Sequence, residues 1–179
     1  KEENMKKRIW LVISFSLLVM SCKSNYSNKY ADAHIVLNQP EKYEEYEDCL
    51  SLITVGGDLN AIVGDDRFTP LTMAVFYGYI DIVEELISKG ADIDSYDGIG
   101  STPLITAIKT CDLDMVELLV KNGADVNRRM NESDAFFIDT SYGEYGEEAP
   151  IHIASRNGIK PIVELLIKNG VDVNSQYND

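Results

Sequence analysis

Residues 69–94 read TPLTMAVFYGYIDIVEELISKGADID, and residues 102–127 read TPLITAIKTCDLDMVELLVKNGADVN. A third copy, APIHIASRNGIKPIVELLIKNGVDVN, occupies residues 149–174. The first two copies start 33 residues apart, and the third starts 47 residues after the second, which is one period plus an insertion of 14 residues. A repeat of this length predicts units that stack on one another, because no single unit can bury its own apolar face.

Each copy carries the same helix boundaries. Threonine or alanine opens the copy and a proline follows it, which is typical of an N-cap and the first residue of a helix. A glycine after the second helix closes it in the left-handed conformation. Apolar residues recur between these marks at helical spacing, so we expect them in the core: Ile82, Val83, Leu86 and Ile87, then Met115, Val116, Leu119 and Val120, then Ile162, Val163, Leu166 and Ile167.

The period, the TPL-x-x-A start and the GAD-x-N end are together identified as an ankyrin repeat, a resemblance that covers about residues 49–174. It implies an all-α solenoid of helix-turn-helix units with hairpin-like fingers, about three and a half repeats long. DCLSLITVGGDLN, from Asp48, aligns with a second helix and its turn. We therefore expect an N-terminal cap and degenerate first repeat at 29–68, and three repeats at 69–179 with an insertion at about 129–147.

The N-terminal stretch predicts export. From Met5 the chain reads MKKR and then twelve uncharged residues, IWLVISFSLLVM, which are the n-region and h-region of a signal peptide. Twelve residues make roughly 18 Å of helix, too short for an apolar bilayer core of about 30 Å. The following Val-Met-Ser-Cys resembles a bacterial lipobox. We expect a signal peptide at 1–21, lipid on Cys22, and a short tether at 22–28.

The resemblance to bacterial lipoproteins also predicts a location. We expect a lipid-anchored protein on the periplasmic side of the bacterial envelope. Lys23 stands where an inner-membrane retention signal of enteric-type bacteria would carry aspartate, so an outer membrane is favoured where the cell has one.

The charge excludes one class of partner. The chain has 16 basic and 30 acidic residues, a formal net charge of −14. Such a surplus repels phosphate backbones, so we expect no nucleic-acid partner and favour a basic protein. We also expect a monomer.

Residues that could carry catalysis are few. Of the two histidines, His34 has no spaced partners, and His152 takes the histidine position of the TPLH-x-A pattern, where the resemblance implies a structural brace. The chain has neither a G-x-S-x-G elbow nor a glycine-rich phosphate loop. We therefore expect no enzyme, no catalytic residue, no cofactor and no metal site; the acidic insertion matches no calcium-loop motif.

Two further cysteines have different positions in the repeat pattern. Cys49 aligns with core valines, and Cys111 takes the turn position of Gly78. A bridge between them would cross about two stacked units of roughly 9 Å each, beyond the ~7 Å limit for Cα atoms in a disulfide. We expect two free thiols.

In the ankyrin family, partners lie against the fingers and the exposed side of each first helix. By alignment, and because exposed aromatic residues are typical binding anchors, we expect partner-binding residues at Phe76, Tyr77, Tyr96, Ile99, Lys109 and Arg156, and in the insertion at Phe136, Phe137, Tyr142 and Tyr145. Packing of the aromatic rings against a neighbouring helix is the alternative. The insertion itself predicts a docking finger or a loop folded over the repeat edge.

The function expected from these features is binding of another protein at the envelope. The chain resembles small envelope-anchored ankyrin proteins of bacteria, some of which are immunity partners of toxins. Two alternatives stay open: a scaffold or protector of a periplasmic enzyme, and a structural envelope lipoprotein.

Overall fold

The computed structural model describes residue 53 and residues 56–62, 67–131 and 148–176. Within them each repeat folds as predicted into a first helix, a turn and a second helix. None of these helices is long and apolar enough to cross a membrane. The six helices are α1 (Pro70–Tyr77), α2 (Ile80–Ser88), α3 (Pro103–Lys109), α4 (Leu113–Lys121), α5 (Pro150–Arg156) and α6 (Lys160–Lys168).

The first helices begin where the sequence predicts. The side-chain oxygens of Thr69 and Thr102 accept hydrogen bonds from backbone N–H groups in the first turns of α1 and α3. Ala149 has no such oxygen. Instead, its own backbone N–H donates to Nδ1 of His152, at 3.3 Å. Each helix therefore satisfies part of its open terminus locally, which contributes about 1 kcal/mol per cap.

The core runs through the stack of repeats. α1 packs on α3, α3 on α5, and α4 on α6, while each first helix also packs on its own second helix. A fully buried apolar side chain of this kind contributes roughly 1.5–3 kcal/mol. The largest fully buried side chains are Leu71, Val75, Ile82, Leu86, Leu104, Ile105, Ile108, Met115, Leu119, Ile153, Ile162 and Leu166.

One predicted core residue is wrong. Ile167, in α6, is 52% exposed. Its equivalents Ile87 and Val120 are half-buried. The difference has a simple cause: in the described residues no unit comes after α6, so nothing covers the side of the helix that earlier units bury.

Side-chain oxygens in the turns join each unit to the next. Each turn places an aspartate or asparagine where its side-chain oxygen accepts a backbone N–H of the following unit, at 2.7–3.0 Å. These links between units were not predicted from the sequence. The three links are Asp92 N–H to Asn60, Asp125 N–H to Asp94, and Asp172 N–H to Asn127.

The fingers touch through their backbones. The N–H of Gly98 donates to the carbonyl of Arg67 at 2.7 Å, and the N–H of Asn131 donates to the carbonyl of Gly100 at 2.9 Å. The N–H of Met130 also donates to the carbonyl of Glu148, at 3.0 Å. The insertion therefore leaves and rejoins the stack at adjacent points.

Candidate protein-binding surface

Four of the predicted partner-binding residues lie along one edge of the stack. Phe76 and Tyr77 end α1, Lys109 ends α3, and Arg156 ends α5. Since α1, α3 and α5 pack in order, their C-terminal ends form a row. We call these four residues the first-helix row. Tyr96 and Ile99 lie beside it in the connection between α2 and α3.

The α1 end of the row carries an aromatic patch, formed by Phe68, Phe76, Tyr77 and Tyr79. Phe76 lies 5.2 Å from Phe68 and 5.2 Å from Tyr77 between ring centroids, and the rings of Tyr77 and Tyr79 stack at 5.8 Å. Phe68 is buried and the other three rings are half-buried. The rings therefore pack on one another. The packing alternative accounts for the buried part of each ring surface, and the exposed part stays available to a partner.

Phe68 and Tyr79 were not predicted as members of this patch. The signal for Tyr79 was present, because FYGY at 76–79 places three aromatic residues around one turn. Phe68 lies before the first helix, where the helical spacing gives no information about its neighbours.

Lys109 is held in the middle of the row. Its Nζ donates to Oγ of Ser101 at 2.9 Å. Burial lowers the pKa of Lys109 to about 8, and the nearby carboxylates of Asp97 and Glu148 oppose this shift. The side chain is therefore a positioned cation at neutral pH that loses its proton under mildly alkaline conditions.

Asp97 shapes the finger next to Lys109. It is 1% exposed, and its Oδ1 accepts the backbone N–H groups of Ile99 at 3.0 Å and Ser101 at 2.8 Å. Burial raises the pKa of Asp97, while these hydrogen bonds oppose the shift. Among the described residues its Oδ2 has no hydrogen-bond partner. Asp97 thus fixes the backbone of Ile99, whose side chain is 39% exposed.

The role of Asp97 was not predicted from the sequence. The available signal was an aspartate just before G-x-G, since aspartate commonly caps the backbone of a turn two residues on.

Arg156 is anchored by a buried carboxylate. Its Nη1 lies 2.5 Å from Oε1 of Glu148, and the side chain of Glu148 is only 3% exposed against 42% for Arg156. The ion pair spans the finger and α5. Arg156 therefore keeps part of its guanidinium at the surface in a fixed position.

Tyr96 holds the fingers together. Its hydroxyl donates to the carbonyl of Arg129 at 3.1 Å, and the guanidinium carbon of Arg128 lies 4.7 Å above its ring. Arg129 in turn donates to the side chain of Ser175 and the carbonyl of Gln176, both at 2.7 Å. Much of Tyr96 is thus used inside the stack, and the side chain is half-buried.

His152 has the bracing role that the sequence predicts. Its Nδ1 accepts the Ala149 N–H, so the other ring nitrogen, Nε2, carries the proton of the neutral ring and donates to the carbonyl of Ser175 at 2.8 Å. The imidazole thereby joins the start of α5 to the last turn.

The Ser101–Lys109 pair has the spacing of a serine activated by a lysine base. Ser101, however, is fully buried, so a substrate carbonyl cannot reach its Oγ. In the described residues no group of three or more histidine, cysteine, aspartate or glutamate side chains could hold a metal ion.

The free thiol predicted for Cys111 is wrong, because Cys111 is disulfide-bonded. The prediction considered only a bridge from Cys111 to Cys49, across two units stacked in a straight line. Cys111 is half-buried in the turn between α3 and α4, where its sulfur can be reached from outside the core. It also has φ +60°, in the position that glycine fills in the other two repeats, as Gly78 and Gly158.

Several predicted residues lie outside the described part of the chain and stay predictions. They are the lipidation site Cys22, the cap residues Cys49 and His34, and the insertion aromatics Phe136, Phe137, Tyr142 and Tyr145.

Comparison with known families agrees with this geometry. A family model described as ankyrin repeats in three copies matches residues 41–130, which is half of the chain. A second model, for many copies of ankyrin repeats, matches residues 104–167. No curated protein matches the chain.

Proposed function

Because the chain belongs to the ankyrin-repeat family, whose repeats are protein-interaction modules, we propose that it binds one protein partner on the first-helix row and the adjoining fingers. The observation that carries this proposal is the row itself, in which an aromatic patch continues into two positioned cations, Lys109 and Arg156.

The held side chains favour binding for an entropic reason. Ordering a free side chain at an interface costs about 0.5–1.5 kcal/mol. Phe76 and Tyr77 already pack on neighbouring rings, and Lys109 and Arg156 are already hydrogen-bonded. Less freedom remains to be lost when a partner arrives. Aromatic and arginine anchors in such settings are typical of binding hot spots.

Long-range attraction and direct contact require different groups on the partner. The net charge of −14 attracts a basic protein and speeds its approach. At contact, the exposed part of the Arg156 guanidinium requires carbonyl or carboxylate oxygens, while the Lys109 amine, buried against Ser101, adds positive charge just behind the surface. The proposed partner is therefore a basic protein with an apolar contact for the aromatic patch and acceptor oxygens beside it.

The place of action that we propose is the bacterial envelope. The signal at 1–21 and lipid on Cys22 would hold the protein on the periplasmic side, at the outer membrane where one exists. There the role we favour is an immunity partner that neutralises a toxin. A scaffold or protector of a periplasmic enzyme is the second candidate, and a structural envelope lipoprotein the third.

Gene neighbourhood and gene deletion distinguish the immunity role from the structural role. An effector gene of the toxin type beside this one, with rescue of toxin-exposed cells by the protein, supports immunity. Loss of envelope integrity on deletion, without a toxin, would support the structural role instead.

The binding proposal is tested with three baits incubated in envelope extract. We expect one protein to be retained by the wild-type domain and by Glu84→Ala, which changes an exposed residue of α2 away from the row. The same protein should be lost with Tyr77→Ala combined with Lys109→Ala. Equal retention by all three baits would place the site elsewhere.

The anchor is tested separately. Metabolic labelling with a fatty-acid analogue should mark the wild type and leave Cys22→Ser unmarked. Equal labelling of both proteins would remove the lipid anchor from the proposal and leave the binding surface unaffected.

A further inference from the structure

The turns after the second helices are joined by a relay of hydrogen bonds along the stack. In each turn an aspartate Oδ1 accepts the backbone N–H of the residue two positions on, at 2.8–3.0 Å. The side chain of that second residue then accepts the N–H of the aspartate in the next turn. One side chain therefore links each unit to the next, and these side chains are Asn60, Asp94 and Asn127.

Asp94 is the charged member of this set. We call the contact of α1–α2 with α3–α4 the first joint, and the contact of α3–α4 with α5–α6 the second joint. At the second joint, Asn127 accepts the Asp172 N–H at 2.7 Å, and its Nδ2 donates to the carbonyl of Gly170 at 3.4 Å. At the first joint, the two oxygens of Asp94 accept the Asp125 N–H at 3.0 and 3.3 Å. An ionised carboxylate accepts from the next unit but donates nothing back.

The surroundings of Asp94 disfavour its negative charge. The Asp94 N–H donates to the carboxylate of Asp92, and the N–H that Asp94 accepts belongs to Asp125, so an aspartate lies on each side of it in the relay. Burial raises the pKa of Asp94 above its ordinary value of 3.8, and the charges of Asp125 and Asp92 raise it further. The Asp125 hydrogen bond and the nearby cation Arg128 oppose the shift.

The second helices also pack more loosely at the first joint. α1 packs on α3 and α3 on α5, so the first helices hold both joints. α4 packs on α6 at the second joint, whereas α2 and α4 approach each other less closely at the first. The fingers of the first joint are joined by the bonds from Asn131 to Gly100 and from Tyr96 to Arg129. Asp94 therefore closes the side of the first joint where helix packing contributes less.

We propose that the first joint is a pH-sensitive hinge, which is looser when Asp94 is ionised and tightens when Asp94 takes up a proton. A neutral carboxyl no longer repels Asp92 and Asp125. Its O–H can also donate, as the Asn127 amide does at the second joint. The first helices and the fingers form the pivot. The hinge does not rest on the proposed function.

Protonation of Asp94 stabilises the fold at low pH. Between 3.8 and the higher pKa of the folded chain, the folded chain holds this proton while the unfolded chain has lost it. The free energy of unfolding therefore falls as the pH rises through this window, and the contribution of Asp94 is fully present below pH 3.8.

The hinge lies between two parts of the first-helix row. The aromatic patch lies at the end of α1, whereas Lys109 and Arg156 end α3 and α5. Opening of the α2–α4 side changes the angle between α1 and α3, and with it the distance from Tyr77 to Lys109. A partner that contacts both parts of the row therefore fits one setting of the hinge, and acidification favours the closed setting.

Hydrogen exchange at the two joints tests the hinge, because opening exposes the linking amide to solvent. Exchange of the Asp125 N–H and the Asp172 N–H is followed by NMR at about pH 7 and about pH 4, in the chain from residue 22 onwards, relative to the rates of an unfolded peptide. We expect the protection of Asp125 relative to Asp172 to rise at least about threefold on acidification. Changes in overall stability affect both amides and cancel in this ratio.

Exchange of the two linking side chains provides matched variants. Asp94→Asn gives the first joint the amide that the second joint already has, so the ratio of the two protections should no longer depend on pH. Asp94→Asn combined with Asn127→Asp moves the carboxylate to the second joint. In this double variant the pH response should move to the Asp172 N–H, so the ratio should fall on acidification instead of rising.

Three results would overturn the hinge. The first is a wild-type ratio that is the same at both pH values. The second is a pH response in Asp94→Asn as large as that of the wild type, because another group would then cause it. The third is a double variant in which the response stays at the Asp125 N–H.

Discussion

One buried amine in the second repeat, that of Lys109, makes the stability of the folded chain depend on pH. The folded chain holds Lys109 with a pKa of about 8, against an ordinary value of 10.5, because the amine is buried. Between these two values the unfolded chain binds more protons than the folded chain at this position. The free energy of unfolding therefore rises with pH across that window and the contribution is constant below about pH 8.

The pH dependence gives a prediction for Lys109→Met. The wild type should gain stability between about pH 8 and pH 10 relative to the variant, which has no amine to titrate. Urea unfolding of both proteins at several pH values measures the difference. The contributions of groups that the two proteins share cancel in this difference. A difference that does not change with pH would show that the Lys109 amine is not buried as described.

Gly100 tests the contact between neighbouring fingers. Both Gly100 (φ +77°) and Gly90 (φ +91°) have left-handed backbones, so alanine costs about 1 kcal/mol at either position. A Cβ on Gly90 would meet nothing within 4 Å, whereas one on Gly100 would overlap the carbonyl oxygen of Asn131.

We therefore expect Gly100→Ala to lower the free energy of unfolding by at least about 1–2 kcal/mol more than Gly90→Ala, measured by urea denaturation. Since the two variants share the backbone strain, the difference reports the clash with Asn131. Equal losses would mean that the fingers do not approach each other at Gly100.

At the scale of elements, the turn between α3 and α4 is under local strain that its equivalents avoid. Cys111 has φ +60° where Gly78 and Gly158 occupy the same turn position. A side chain with a left-handed backbone costs of order 1–3 kcal/mol. The disulfide at Cys111 offsets this cost only while it is oxidised.

Cys111→Gly should consequently be more stable than the wild type in reducing buffer, by about 1 kcal/mol, and should lose that advantage in oxidising buffer. Thermal melting in both buffers measures this. Thr110→Gly is the control, because Thr110 has an ordinary φ of −80° and glycine there should only destabilise. A Cys111→Gly protein that is less stable in both buffers would contradict the strain.

How far the sequence predicts the elements depends on whether the signal is local. The threonine caps at Thr69 and Thr102 and the buried positions of α2 and α4 can be derived from spacing along one helix. The link between the Asn60 side chain and the Asp92 N–H joins residues 32 apart, so the spacing within one element could not reveal it. Likewise, the exposure of Ile167 depends on whether another unit packs on α6 and not on the spacing within α6 itself.

At the scale of the whole molecule, the stack explains which parts of the candidate site the sequence could predict. Alignment of repeats placed Phe76, Lys109 and Arg156 at the ends of successive first helices, and the structure brings them into one row. The alignment could not show that Glu148 holds Arg156, because that contact arises only when the finger folds against α5.

Removing the insertion should change partner binding without changing the stability of the repeats. Asn131 and Glu148, which flank it, lie in contacting fingers, so the repeats are already joined without it. Replacing residues 132–147 by Ile-Gly, the pair at 99 and 100, restores the 33-residue spacing between the second and third repeats. The repeat core should be unchanged.

The central claim is that a stable stack presents a partner-binding surface made of the first-helix row and the insertion. The measurement is the dissociation constant of the captured envelope partner for the wild type and for this replacement, with the melting temperature of each. We predict melting temperatures that agree within about 2 °C and a dissociation constant raised at least about tenfold. An unchanged dissociation constant at an unchanged melting temperature would contradict the account.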